Sequence, residues 1–405
     1  MRAYERLLEY AVIVTDSDEN GTATPSTERQ HDLARRLAAD MKALGISHVY
    51  ADEHAYVYGD LPATAGLEDK TPVGFIAHLD TVPVPAGTPV RPALVPDYDG
   101  GELPLGDSGL VLSPSMFPHL PGLKGQTLIV TDGRTVLGTD DKAGVAEILT
   151  AAERLLGEGT PHGPIRLCFT PDEEIGHGAA LLDLDRFGAK YAYTVDGGDV
   201  NEIEYETFNA ASARWEIRGV SVHPGSAKDT MINAAAVAAE IVGALPREET
   251  PEHTEGYEGF YHLCDLSGDV SRAEMSFIIR DHDRAKFEAR KQTMRRIEGE
   301  VNARWGAGTA RLTLRDQYYN MAEKVNEHPE VLEKARAAIR DAGMEPVSHP
   351  VRGGTDGSQL SFRGLPCPNL GTGGFGFHGP YEHITAERMD KVVEVLLGIA
   401  AQYAL

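Results

Sequence analysis

The run IRLCFTPDEEIG, Ile165 to Gly176, is an apolar segment that ends in two adjacent carboxylates, Glu173 and Glu174. Neighbouring side chains on a strand alternate faces, but at a strand end the backbone can turn and let both acids reach one site. Two adjacent acids repel unless something cationic lies close. Working outward, other runs of strand length stand at His48 to Val57, Val73 to Ala77, Thr127 to Thr131 and Tyr191 to Val195. Helix-like segments separate them. Thr27 to Leu44 has helical spacing and stops near Gly45, and AGVAEILTAAERLL, Ala143 to Leu156, is rich in Ala, Leu and Glu. Strands alternating with helices predict an α/β layer with a central, mostly parallel sheet flanked by helices.

From Ala213 the rhythm changes. Ala213 to Val220 reads as a strand and Met231 to Leu245 as an Ala-rich helix. Phe260 to Leu266 and Arg272 to Arg280 read as strands, Arg284 to Trp305 as a long charged helix, and Ala310 to Arg315 as a last strand. That β-α-β-β-α-β order is the ferredoxin-like pattern. It predicts a small α+β lid domain, 209–316, inserted into a catalytic domain made of 1–208 and 317–405. The Pro- and Gly-rich stretch Pro83 to Gly125 is long for a connection and reads as an ordered flap over a site.

Composition narrows the function classes. A chain of 405 residues is too long for one ordinary core. A net charge of -24 argues against nucleic acid or an anionic membrane as partner. No apolar run approaches the roughly 18 residues of a membrane span. The opening MRAYERLLEYAVIV reads as an amphipathic helix rather than a leader. Cys168, Cys264 and Cys367 make no CxxC pair, which fits a reducing, cytoplasmic compartment. Cys168 and Cys264 sit in strand-like runs and read as buried small hydrophobes.

Four more clusters accompany the glutamate pair. In AHLDT, His78 and Asp80 stand at i and i+2, so on an extended chain they point the same way. An imidazole can bind a metal while a nearby carboxylate fixes its tautomer. In GTDDKAG, at a helix start, Asp140 or Asp141 can cap the helix or bridge two cations. TVDGG holds Asp196 after an apolar strand, and GFHGPYEH holds His378, Glu382 and His383. Each cluster alone has an ordinary structural reading as a cap, turn or solvated loop. Together they place mixed His and carboxylate donors at strand ends, which suits Zn, Co or Mn rather than Mg or Ca. The HExxH signature is absent.

At these residues the chain resembles the M20 family of co-catalytic zinc peptidases, over its whole length. The motifs are AHLDT, LSPSMFP, GQTLIVTDGRTVLGTDDKAG, FTPDEEIG, VDGG, GVSVHPGSAKDTMINA, SFIIRDHD, RGGTDGS and GTGGFGFHG. LSPSMFP and FIIRD match best the members that take the N-terminal residue off tripeptides. The resemblance implies two divalent ions, most readily zinc, with cobalt or manganese as alternatives. His78, Asp140 and Asp196 would hold one, and Asp140, Glu174 and His378 the other. Glu173 would be the general base and Asp80 the partner of His78. His223 would stabilise the oxyanion, from its own or a partner subunit of a homodimer formed through the lid. Arg280 would bind the peptide's carboxylate end, with Asn233 and Arg352 as further substrate contacts. The resemblance also implies a cis peptide at Asp140–Asp141. Other activities of the family, dipeptidase, carboxypeptidase or amide deacylase, and a catalytically silent metal-binding relative are the alternatives.

Overall fold

A computed structural model describes residues 1–405. Its chain forms two compact units. The first comprises Met1–Tyr205, Glu323–Ser348 and Thr355–Leu405; the second comprises Glu206–Ala322 and His349–Gly354.

The first unit is built on a seven-stranded sheet. Its spatial order is Ser47–Ala51, Val57–Leu61, Ile165–Thr170, Val73–His78, Tyr191–Val195, Asn369–Leu370, Ile203–Glu204. The four inner strands, from Ile165–Thr170 to Asn369–Leu370, run parallel, and the outer pairings are antiparallel. This is the mostly parallel α/β sheet the alternation predicts. Every residue of Val73–His78 is buried, as expected for a strand covered on both faces. The helices Ala3–Ala11, Thr139–Glu158 and Ala386–Ala404 pack together, and Thr139–Glu158 lies against Val73–His78. Tyr56, Ile76, Cys168, Phe187 and Leu360 share one apolar cluster.

One glycine decides how closely helix and sheet approach. A Cβ on Gly144 would stand 1.9 Å from the Val195 carbonyl oxygen. Only glycine lets the start of Thr139–Glu158 sit against the strand that leads to Asp196.

Two expectations need correction. His48 to Val57 is not one strand. Asp52 accepts hydrogen bonds from the His54 and Tyr56 N–H groups, both at 2.9 Å, and Ala55 turns left-handed at φ +69°. The turn splits the run into the antiparallel strands Ser47–Ala51 and Val57–Leu61. Cys264 is exposed, whereas Cys168 and Cys367 are buried. It stands where the register shifts between Leu263 and Asp265, on the edge strand of the second unit's sheet, and the bulge turns it from the core.

The stretch Pro83 to Gly125 is ordered. It contributes the strand Ala93–Val95, paired with Leu128–Val130, and the hairpin Leu103–Pro104 with Val111–Leu112. Tyr98, Leu105, Leu112, Leu120 and Leu123 give it an apolar core of its own, shared with Leu128 and Val130.

The second unit has a four-stranded antiparallel sheet in the order Phe260–Gly268, Arg272–Asp281, Asn209–Arg218, Ala310–Tyr318. Arg272–Asp281 alternates buried and less buried residues, the pattern of a sheet with one covered face. The helices Ala234–Gly243 and Arg284–Trp305 cover that face, around Trp215, Phe277, Phe287 and Met294. His349–Gly354 joins this unit through backbone bonds from Val351 N–H to Glu206 and from Phe208 N–H to Gly353, at 2.9 and 3.1 Å.

Candidate metal centre

Three adjacent parallel strands, Ile165–Thr170, Val73–His78 and Tyr191–Val195, end at one edge of the first unit's sheet. Their carboxyl ends deliver Glu173 and Glu174, His78 and Asp80, and Asp196. This is the edge where open parallel sheets bind ligands. Asp140 arrives from the start of Thr139–Glu158, at a residue that departs from helical geometry (φ -93°, ψ 98°), and the Asp140–Asp141 peptide is cis. His378 arrives from the Gly-rich loop after Asn369–Leu370, at φ +62°.

These side chains converge. The His78 Nε2 lies 2.9 Å from Asp140 Oδ1, 3.6 Å from Asp196 Oδ1 and 4.0 Å from Glu173 Oε2. The His378 Nε2 lies 3.0 Å from Asp140 Oδ2 and 3.1 Å from Glu174 Oε2. Asp140 therefore turns one oxygen to each histidine, the arrangement of a bridging carboxylate. Asp80 does two things. Its carbonyl accepts the Nδ1–H of His78 at 3.0 Å, with Oδ1 at 3.3 Å from the same nitrogen. Its carboxylate accepts the backbone N–H groups of Glu173 and Glu174 at 2.9 and 3.2 Å. Asp80 thus orients the imidazole and fixes the turn that carries both glutamates.

Electrostatics show what the cluster is built to receive. Burial lifts the pKa of Glu173 well above the carboxylate range, with Asp196 adding to it. Burial also raises Glu174 to about 7 and Asp196 to about 6. Burial opposes a charged His78, yet Asp196 and Asp140 outweigh it and hold its pKa well above the usual imidazole value. Hydrogen bonds to Asp140 and then Glu174 push His378 up to about 11. So many partly buried acids at such distances call for positive charge between them. Both ring nitrogens of His78 face acceptors, so its Nε2 needs either a proton or a cation. The Glu174 Oε1 is buried without a hydrogen-bond partner. These donors fit a divalent cation: His78, Asp140 and Glu174 offer atoms within 4.8 Å of one another, as do His78, Asp141 and Asp196.

Asp141 is the residue the sequence motif leaves ambiguous. Its oxygens accept the His78 N–H at 3.0 Å and the Gly144 N–H at 3.2 Å. It braces the strand and the helix, while Asp140 faces the histidines. Two other acids carry no clear signal in the sequence. Asp356, in RGGTDGS, is buried and accepts the Thr170 hydroxyl at 2.8 Å. Asp172 accepts bonds from Ser26 and Gln30 and so anchors the residue before Glu173. Asp172 stands in FTPDEEIG itself, but its partners lie far away in the chain.

The remaining candidates belong to the second unit. His223 is exposed, and its Nδ1 accepts the Gly225 N–H at 3.1 Å, which leaves the proton on Nε2. Asn233 caps the helix Ala234–Gly243 through the Ala236 N–H at 3.2 Å. The Arg280 Nη1 donates to the Ala211 and Ile279 carbonyls and to Gln317. Arg352 donates to the Gly256 and Glu258 carbonyls and to the Thr254 hydroxyl, which ties its guanidinium to that loop.

Residues 130–402 match Peptidase family M20/M25/M40. The chain belongs to this family, a class of peptidases on whose fold the ligand-rich sheet edge is built. It is 50% identical over 404 residues to the Peptidase T of Clostridium perfringens (strain 13 / Type A), covering 100% of this chain and 99% of that protein. Among solved structures it is similar to the aminopeptidase PepT of Bacillus cereus ATCC 10987, with a TM-score of 0.79 at 24% identity over 100% of this chain and 98% of that one. A tripeptidase of Staphylococcus aureus subsp. aureus Mu50 superposes with the same TM-score, 0.79, at 22% identity over 100% of this chain and 98% of that one. No helix is long and apolar enough to cross a membrane.

Proposed function

We propose that the protein is a metal-dependent aminopeptidase that removes the N-terminal residue of tripeptides. The observation that carries the reading is the division within the glutamate pair. Glu174 Oε2 stands 3.1 Å from His378 Nε2, while Glu173 Oε2 turns toward His78. These distances support reading Glu174 as a ligand and Glu173 as standing beside the ligands. Family membership and the Peptidase T relatives support the same activity.

His78, Asp140 and Asp196 would hold one divalent ion, and Asp140, Glu174 and His378 the other, zinc before cobalt or manganese. When bound, such a pair supplies a nucleophilic water at neutral pH and polarises the scissile carbonyl. Glu173 would be the general base, taking a proton from the attacking water and delivering it to the leaving amine. Asp80 holds Glu173 in reach through the backbone. His223, with its proton on Nε2, donates to the developing oxyanion, worth about 2.7–4 kcal/mol for a donor of this kind. Arg280 suits the peptide's carboxylate through its planar fork, with Asn233 and Arg352 as lesser contacts. The same proposal takes 1–208 with 317–405 as the catalytic part and 209–316 as an inserted part through which two copies pair. The exposed outer half of the edge strand Phe260–Gly268 supports that pairing. The three free cysteines fit a cytoplasmic setting.

The test is a panel of di-, tri- and tetrapeptides and N-acylated amino acids, assayed with zinc, cobalt or manganese added. Turnover is expected to be highest on tripeptides with a free amino end. Cleavage of N-blocked substrates would sink the aminopeptidase reading and favour a deacylase or carboxypeptidase. No hydrolysis by metal-loaded protein would point to a silent binding protein. Light scattering checks the dimer.

A further inference from the structure

Glu382 is outside the proposed ligand set, yet it is 1% exposed and reaches the backbone on which Asp140 stands. Its Oε2 accepts the Gly138 N–H at 2.7 Å. Its Oε1 accepts the Thr139 hydroxyl at 2.5 Å and the Asp140 N–H at 3.0 Å. The first N–H groups of a helix have no partner within it and need a cap. Residue 138 is a glycine, so no side chain at that position can cap the helix. The cap comes instead from a residue 244 positions along the chain. Asp140 and Asp141 both leave helical geometry, so helix hydrogen bonds alone do not hold this segment.

Glu382 also belongs to the loop that carries His378. The Phe375 N–H donates to the His383 carbonyl at 2.8 Å and the His383 N–H returns the bond at 2.9 Å, closing that loop. Within it the Glu382 N–H donates to the Gly379 carbonyl at 3.2 Å. One short loop therefore presents His378 to Asp140 and grips the backbone of Asp140 at the same time. The charge of Asp140 disfavours an ionised Glu382, and donors on Gly138, Thr139 and Asp140 offset that repulsion.

We infer that Glu382 is a positioning residue: it locks the His378 loop to the Gly138–Asp140 segment and sets the spacing of their donor atoms before a cation arrives. The inference rests on the proposed ligand roles of Asp140 and His378. Loss of a hydrogen-bonding support behind metal ligands typically costs about 10–100-fold in metal affinity.

The experiment measures zinc affinity of the full chain by chelator competition, and melting temperature with and without zinc. Wild type is compared with Glu382→Ala, Glu382→Gln and Thr139→Val. Glu382→Ala is expected to lose about 10–100-fold in zinc affinity and to show a smaller rise in melting temperature on adding zinc. Glu382→Gln, with one accepting oxygen left, should fall between, and Thr139→Val, which removes one donor, should lose least. A purely structural role would lower the melting temperature equally with and without zinc and leave affinity unchanged, and that result overturns the inference. If Glu382→Ala does not fold, unchanged affinity in both other variants overturns it equally. Should wild type itself fail to bind two zinc ions, the ligand reading falls and takes the inference with it. Wild-type binding with unaffected variants removes the inference alone.

Discussion

The carboxyl edge of the first unit and the core of the second unit solve opposite problems. At the edge, Glu173, Glu174, Asp140 and Asp196 stand together, partly buried, and their charges are in conflict. In the second unit, Trp215, Phe277, Phe287 and Met294 pack between one sheet and two helices with no such conflict. Local rules are obeyed where the chain only has to fold and broken where it has to hold something else. The edge gathers acids that a bound cation would balance, whereas the core gathers apolar side chains and no cluster of like charges.

The largest effect that can break this comparison is chemical. Glu173→Ala should lower turnover by about 10²–10⁴-fold while metal content stays at the wild-type level. Near wild-type turnover with both metals bound would falsify the role of Glu173. Glu174→Ala should do the reverse first, and metal analysis should find less bound ion. In the second unit, Trp215→Ala should cost about 3–5 kcal/mol of stability, read by denaturant unfolding, with no change in zinc affinity. An equal loss of zinc affinity would show that the two regions are not independent.

Acid should act on the first unit through His383. This ring is buried, and burial holds its pKa down to about 4, with its Nδ1–H on the Tyr381 carbonyl at 2.7 Å and its Nε2 2.9 Å from that of His119. The unfolded chain takes up a proton near 6.5, the folded chain only near 4, so the unfolded state binds more protons between them. The contribution of His383 is full above about pH 6.5 and falls as pH drops toward 4, by about 3 kcal/mol at most. His383→Phe, which keeps ring contacts with Phe117 and Phe375, should flatten that slope in urea melts over this range. The smallest effect is that of chelation. Free ion at a hundred times its dissociation constant stabilises by about 2.7 kcal/mol, so a chelator should lower the melting transition of the first unit and spare the second.

Much of this architecture is legible in the sequence. The inner strands are readable because parallel strands covered on both faces are continuous apolar runs, as Val73–His78 and Tyr191–Val195 are. His78, Glu173, Glu174, Asp196 and His378 are readable because each stands in a chemically pointed motif close to such a run or in a glycine-rich loop, whereas GTDDKAG leaves Asp140 and Asp141 open. The turn at Ala55 is not, because Asp52 has to find two backbone N–H groups to make it. The exposure of Cys264 is not, because a bulge on an edge strand follows from pairing and not from composition.

The sequence by itself determined which residue types are present for chemistry and most of the strands and helices, since both follow from local pattern and from side-chain identity. Only the tertiary structure decided which of them face one another. Asp140 faces the histidines and Asp141 the backbone, because Gly144 lets the helix seat against Val195. Glu382 became the support of Asp140 because a loop 244 positions away closes over the helix start. Such partnerships depend on distances between remote segments, and these exist only once the sheet and its helices have packed.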